Sequence, residues 1–230
     1  NIRTMENKTY FITGIDTDAG KTWVTGIFAR YLLDAGKSVI TQKIAQTGCR
    51  EISEDIETHR RLMGTGFFPE DREGLTCPFL FSVPCSPHLA AEIDGAEIDP
   101  SKITSAYRTL ARKYQYVLCE GVGGLCVPLN REVYLADWLS GQGLPTILVA
   151  TPKLGSINHT VMSLEVCRAK GIDVVSLVYN YYPGVLPEIE KDTERVIRDY
   201  LAEHFPSCAF IRVGDLKAEN PQCPDFSALL

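Results

Sequence analysis

The sequence predicts an α/β fold, a doubly wound and mostly parallel sheet with helices on both faces, and three observations predict it. Short apolar runs rich in β-branched or aromatic residues recur along the chain, segments of helical spacing separate them, and a glycine-containing turn joins the first run to the first helical segment. Apolar runs of this length suit strands buried on both faces, and parallel strands require crossovers, so regular alternation points to a layered sheet. In such sheets ligands bind beyond the carboxyl ends of the strands.

Taken in order, residues 9–13 read as the first strand and 21–35 as a helix. Strand 38–41 and helix 54–63 follow. Residues 64–99 carry Pro69, Pro78, Pro84 and Pro87 with several glycines, which predicts long irregular connections around short elements, often a functional region in a compact domain. The rhythm then resumes with helix 100–113, strand 116–119, helix 133–140, strand 146–150, helix 157–170, strand 174–179 and helix 187–203. No repeat or linker marks a second domain, and 230 residues fit one, taken as 8–230. Because Met5-Glu6-Asn7-Lys8 would make a natural translational start, residues 1–4 are expected to be a non-native remnant and 1–7 as a whole a remnant and disordered terminus.

Composition narrows the function. Acids outnumber bases 29 to 23, a net charge of −6, so no basic surface is expected for a polyanionic backbone and nucleic acid is excluded as a partner. A bound nucleotide stays compatible, since loop amides and one or two lysines suffice to hold phosphate. No apolar run approaches the roughly 18 residues of a membrane span, and no signal core follows Asn1. The eight cysteines include no C-x-x-C pair and suit free thiols in a reducing cytoplasm; the four histidines show no zinc-ligand spacing.

The turn after the first strand reads Gly14-Ile15-Asp16-Thr17-Asp18-Ala19-Gly20-Lys21-Thr22 and opens a helix. Strand, glycine turn, Gly-Lys-Thr and helix form the context of a P-loop NTPase. Backbone amides and the helix N-terminus, at Asp18, Ala19 and Gly20, meet phosphate; Lys21 reaches the β- and γ-phosphates; the Thr22 hydroxyl binds Mg²⁺. The strict frame starts at Ile15, because five residues separate Gly14 from Gly20. ATP and Mg²⁺ are therefore the expected cofactors.

Strand 38–41 leads into Gln42-Lys43-Ile44-Ala45-Gln46-Thr47-Gly48, which places Lys43 at the end of what should be the strand neighbouring the first, facing the loop. Glu120 follows strand 116–119 and precedes Gly121-Val122-Gly123-Gly124, where a Mg²⁺ ligand would belong, although a plain loop acid fits as well. Asp55, at the start of a helical stretch, reads equally as a metal ligand or as a helix N-cap.

The loop resembles the G-T-D-T-x-V-G-K-T signature of dethiobiotin synthetases, with Ile15 and Ala19 as departures. Segment 43–48 is similar to their K-P-V-x-[ST]-G, with Ile44 in place of proline, and 120–124 to their E-G-A-G-G. Ser86-Pro87-His88, Ala136-Asp137-Trp138 and Lys153-Leu154-Gly155-Ser156-Ile157-Asn158-His159 extend the match. The resemblance implies Thr22, Asp55 and Glu120 as metal ligands, and Lys21, Lys43, Thr17 and Thr47 as the catalytic set, with Thr17, Lys43 and Thr47 on the substrate. Asp16 and Asp18 would order the loop or an amine, and Gly123 would lie beside the nucleotide. Asn180 would read adenine and Glu219 the base or ribose. Gly155, Ser156, Ile157 and Asn158 would bind a substrate carboxylate from the neighbouring subunit of a homodimer.

The implied reaction carboxylates 7,8-diaminopelargonate with CO₂ and closes the ureido ring of dethiobiotin. It would pass through a carbamic-phosphoric anhydride at the expense of ATP. Two rivals share the loop. Partitioning-type switch ATPases carry a lysine where this chain has Asp16, and cobyrinate-type amide ligases need a glutaminase domain for which the chain has no room.

Overall fold

The computed structural model describes residues 7–215 and 223–230. In chain order the elements are β1 (Lys8–Gly14), α1 (Lys21–Asp34), β2 (Val39–Lys43), β3 (Gln46–Thr47), α2 (Glu54–Met63), α3 (Pro69–Arg72), β4 (Leu80–Phe81), α4 (Pro87–Ile93), α5 (Pro100–Ala111), β5 (Tyr116–Glu120), α6 (Leu135–Ser140), β6 (Thr146–Ala150), α7 (Ser156–Lys170), β7 (Val174–Asn180), α8 (Pro187–His204) and β8 (Ala209–Val213), with a closing 3-10 turn at Ser227–Leu229. Six strands form one sheet in the order β2-β5-β1-β6-β7-β8, and β3 pairs with β4 in a small second sheet. Every strand pairing among the described residues is parallel, as the continuous apolar runs predict.

The strand alternation buries both faces. Tyr10 and Ile12 of β1 pack with Val24, Phe28 and Leu32 of α1, whereas Phe11 between them faces Trp138 of α6 at a ring separation of 5.6 Å. The C-terminal segment covers the first face. Phe226 stacks on Phe28 at 4.7 Å, and the Tyr10 hydroxyl donates to the Leu229 carbonyl at 2.8 Å. Helix α2 lies on α1 at Gly26, where a Cβ would come within 2.5 Å of Leu62 Cδ1, so only glycine admits this close approach. That contact lies near the C-terminal end of α2; its first turns lie over the carboxyl ends of β2 and β5, where Asp55 meets Lys43 and His59 meets Glu120. No helix among the described residues is long and apolar enough to cross a membrane.

Lys43 does not stand on the strand next to β1. β5 lies between β1 and β2, and Glu120 is the register partner of both Ile12 and Lys43. The crossover through α1 skips one position, which periodicity does not encode. Lys43 therefore faces the loop across Glu120.

Candidate active site

The carboxyl ends of β1, β2 and β5 open into a cleft of about 830 Å³. Its floor is the loop between β1 and α1. Gly20 ends that loop in the left-handed region at φ 86°, and a Cβ there would lie 2.1 Å from Nδ2 of Asn180. Asn180, at the end of β7, donates from Nδ2 to the Ala19 carbonyl at 3.1 Å and so pins the loop to the sheet. The Thr17 amide donates to Asp16 Oδ1 at 2.7 Å, and Lys21 Nζ donates to the Asp16 carbonyl at 3.0 Å. No side chain caps α1 and no acid stands in its first turn, so the orphan amides and positive dipole end of this 14-residue helix are left for an anion.

Above the loop the charged groups are buried together. Lys43 Nζ lies 2.6 Å from Asp55 Oδ2 and 2.9 Å from Glu120 Oε1, and donates to the Gly121 carbonyl at 3.0 Å. The Thr22 hydroxyl donates to the same Glu120 oxygen at 2.8 Å. Glu120 is fully buried, and so is its other partner, His59, whose Nε2 lies 2.7 Å from Oε2. Ser53, not Asp55, caps α2, its hydroxyl accepting from the Ile56 amide at 3.2 Å; this leaves the Asp55 carboxylate to Lys43.

The electrostatics follow from this geometry. Burial alone would raise the pKa of Glu120, yet Lys43 and the His59 hydrogen bond outweigh it and hold the carboxyl far below the usual range. Burial would likewise neutralise Lys43, but Glu120 and Asp55 hold it protonated, above an ordinary lysine. Lys21 has no such direct partner. Burial first, and then the Lys43 charge, push it down to about 8 against the opposing pull of Glu120, Asp55 and Asp16. An anion placed over Lys21 would relieve that deficit.

The donor set fits Mg²⁺. Thr22, Glu120 and Asp55 offer hard oxygens around a point where the fold already accommodates a cation, the Lys43 ammonium. No group of three His, Cys, Asp or Glu among the described residues makes a dedicated metal cage. One or two carboxylates with phosphate oxygens and water are what Mg²⁺ takes in nucleotide sites.

The cleft brings together ten of the expected residues. Thr17, Asp18, Gly20, Lys21 and Thr22 line it from the loop, and Lys43, Thr47, Asp55, Glu120 and Gly123 from the strand ends and α2. Ala19, also of the loop, is buried. Asp16 turns outward to His159, 3.5 Å away. The segment Gly155, Ser156, Ile157 and Asn158 opens α7 outside the cleft, on the far side of the loop, where Ser156 and His159 border a small recess with Asp16 and Asp18. Glu219 lies outside the described residues. His59 stands in no motif or ligand cluster of the sequence. The available signal was its spacing of four from Asp55, one turn along the same helix face.

Comparison with known proteins adds names to this geometry. A family model described as an AAA domain matches residues 8–205. The ATP-dependent dethiobiotin synthetase BioD 2 of Haemophilus ducreyi is 50% identical over 204 residues, covering 89% of this chain and 97% of the relative. The ATP-dependent dethiobiotin synthetase BioD of Chlorobaculum tepidum is 48% identical, covering 85% of this chain and 82% of its own. Among solved structures, the cell division protein FtsY of Thermotoga maritima has a TM-score of 0.55 at 16% identity, covering 99% of this chain and 68% of that one. A ParA family ATPase from Chlorobium tepidum has a TM-score of 0.53 at 15% identity, covering 92% and 85%. At these identities the structural likeness establishes the fold alone, the doubly wound P-loop NTPase type.

Proposed function

This chain belongs to the ATP-dependent dethiobiotin synthetase family, and from that premise we propose how its site works. The protein is an ATP-dependent ligase of biotin biosynthesis that acts on small molecules. The observation that carries the mechanism is the pair of buried lysines, Lys21 and Lys43, converging on one cleft beside two carboxylates.

One amine of 7,8-diaminopelargonate takes up CO₂ as a carbamate and gives up a proton. A carbamate oxygen attacks the γ-phosphorus of ATP, the bond to the bridging oxygen breaks, and ADP leaves. The second amine then attacks the carbonyl carbon of the mixed anhydride and loses a proton. Phosphate departs with the C–O bonding pair as the cyclic urea forms. Two anions must be held against each other, so catalysis here is positioning and charge neutralisation. Lys21 binds the phosphates from the loop. Lys43 supplies the second cation over the transferring phosphoryl. Thr17 and Thr47 hydrogen-bond the carbamate or phosphate, and Asp16 and Asp18 order the loop. Thr22, Glu120 and Asp55 would hold Mg²⁺, which would supply further positive charge to the phosphates.

Asn180 contacts adenine through the amide oxygen opposite the Nδ2 that holds Ala19, and Glu219 completes the base or ribose site. Residues 8–230 act as one domain. The working unit is a homodimer, with Gly155, Ser156, Ile157 and Asn158 turned to the partner's substrate carboxylate. Supporting that reading, Leu154 is 94% exposed just before α7 and borders one recess with the exposed Ile157 and Ile189, while Met162 is 58% exposed further along α7, apolar surface suited to a second copy. Eight free cysteines favour the cytoplasm.

Incubation with ATP, Mg²⁺, bicarbonate and 7,8-diaminopelargonate should yield the cyclic urea by mass analysis, with ADP and phosphate in equal amount. Phosphate release that ignores the diamine, without urea, would sink the reading.

A further inference from the structure

Glu120 is held by three groups, and the reaction as described uses only two of them. Oε1 receives the Thr22 hydroxyl and the Lys43 ammonium, whereas Oε2 meets His59 alone among the described residues. The capped start of α2 places Asp55 and His59 one turn apart, so one helix face serves both sides of the charged cluster. His59 is fully buried and its Nδ1 has no partner among the described residues, so the Glu120 carboxylate is the one polar group its ring meets there. The tautomer with the proton on Nε2 satisfies the carboxylate and leaves only a bare acceptor behind.

A carboxylate turns easily about its last bond, because such torsions have broad minima. Held from one side only, Glu120 could present either oxygen, or neither, to Thr22. We propose that His59 is the positioning residue of the cation-binding carboxylate. Its Nε2–H fixes the plane of Glu120 so that Oε1 stays turned toward Thr22 and Lys43, where a divalent cation would join. The inference rests on reading Glu120 as a metal ligand, and outer partners of this kind tune metal sites as strongly as many direct contacts.

The test is Mn²⁺ binding to the ADP complex, followed by loss of the free-ion electron paramagnetic resonance signal. His59→Gln carries an amide N–H at the reach of ring Nε2, His59→Asn carries one about where Nδ1 sits, and His59→Leu carries none. The leucine and asparagine variants should weaken Mn²⁺ by about 10- to 100-fold, and the glutamine variant should stay within about threefold of wild type. Metal-free ADP affinity should not change in any of them. Wild-type Mn²⁺ affinity in His59→Asn, or a glutamine variant as weak as the asparagine one, overturns the proposal, and this pair decides even if the leucine variant fails to fold. Glu120→Gln separates the two levels. If it keeps Mn²⁺, the metal reading itself is wrong; if it loses Mn²⁺ while His59→Asn does not, only the role of His59 falls.

Discussion

Replacing Lys43 with methionine removes one ammonium while keeping a flexible chain of similar bulk in the same slot. The structure says what is left behind: Glu120, fully buried, and Asp55, 2.6 Å from the vanished charge. Removing one partner of a buried pair typically costs about 3–5 kcal/mol, because the remaining charge stays desolvated. For a chain of this length each kcal/mol moves Tm by roughly 2–4 °C, so nucleotide-free Lys43→Met should melt about 6–20 °C below wild type. Turnover should fall by about 10²- to 10³-fold, the loss expected when one preorganised group over developing charge is deleted. ADP affinity should hold, since Lys21 and the loop remain. Adding Glu120→Gln should return part of the lost Tm, because a neutral amide does not need the ammonium; this coupling separates the charge effect from simple cavity loss. A variant that melts with wild type, or that turns over within a few-fold of it, refutes the reasoning.

Three further outcomes follow from other parts of the molecule. Asp71 is ion-paired with the buried Arg60 at 2.7 Å and accepts from the Thr76 hydroxyl and the Phe68 amide. Burial raises its pKa, but Arg60 outweighs this and holds the carboxyl below its usual 3.8. The group thus stabilises the fold fully above that value and loses the contribution as pH falls through its lower folded pKa. Asp71→Asn should cost about 3–5 kcal/mol in denaturant melts at pH 7, and the gap to wild type should narrow toward pH 3; an unchanged gap contradicts the assignment. Gly20→Ala meets both a left-handed backbone and a clash with Asn180, so ADP binding by calorimetry should weaken by about tenfold or more, the left-handed penalty alone being roughly 1–2 kcal/mol. Met162→Glu on the exposed face of α7 should shift the protein to monomer in sedimentation without lowering Tm, and a persisting dimer would move the interface elsewhere.

Much of this was legible because the relevant signals are local. Five strands of the main sheet and six helices, α1, α2, α5, α6, α7 and α8, show in apolar runs and spacing, and their observed ends fall within a few residues of the expected ones. Three features are not marked by such runs and spacing. β8 closes the sheet as an edge strand whose Arg212 faces solvent toward Glu190 and Glu194, so it lacks the continuous apolar run of an inner strand. α3 and α4 begin at Pro69 and Pro87, which read as loop breakers although proline fits the first turn of a helix. The strand order, which inserts β5 between β1 and β2, is a property of crossovers rather than of composition. The site was legible in the same measure. Lys21, Thr22, Lys43, Asp55 and Glu120 belong to motifs at element ends and meet in one cleft. His59 belongs to no motif, and its role emerges only when α2 is laid across α1.

The central claim is that a carbamate oxygen attacks the γ-phosphorus of ATP in this cleft. It is tested most directly by a single turnover with ¹⁸O-bicarbonate in unlabelled water, run faster than the label exchanges. The inorganic phosphate released with each cyclic urea should carry one ¹⁸O, because the oxygen that bonded carbon to phosphorus leaves with phosphate. Unlabelled phosphate accompanying the urea would contradict the account, since the transferring phosphoryl would then have gone to water.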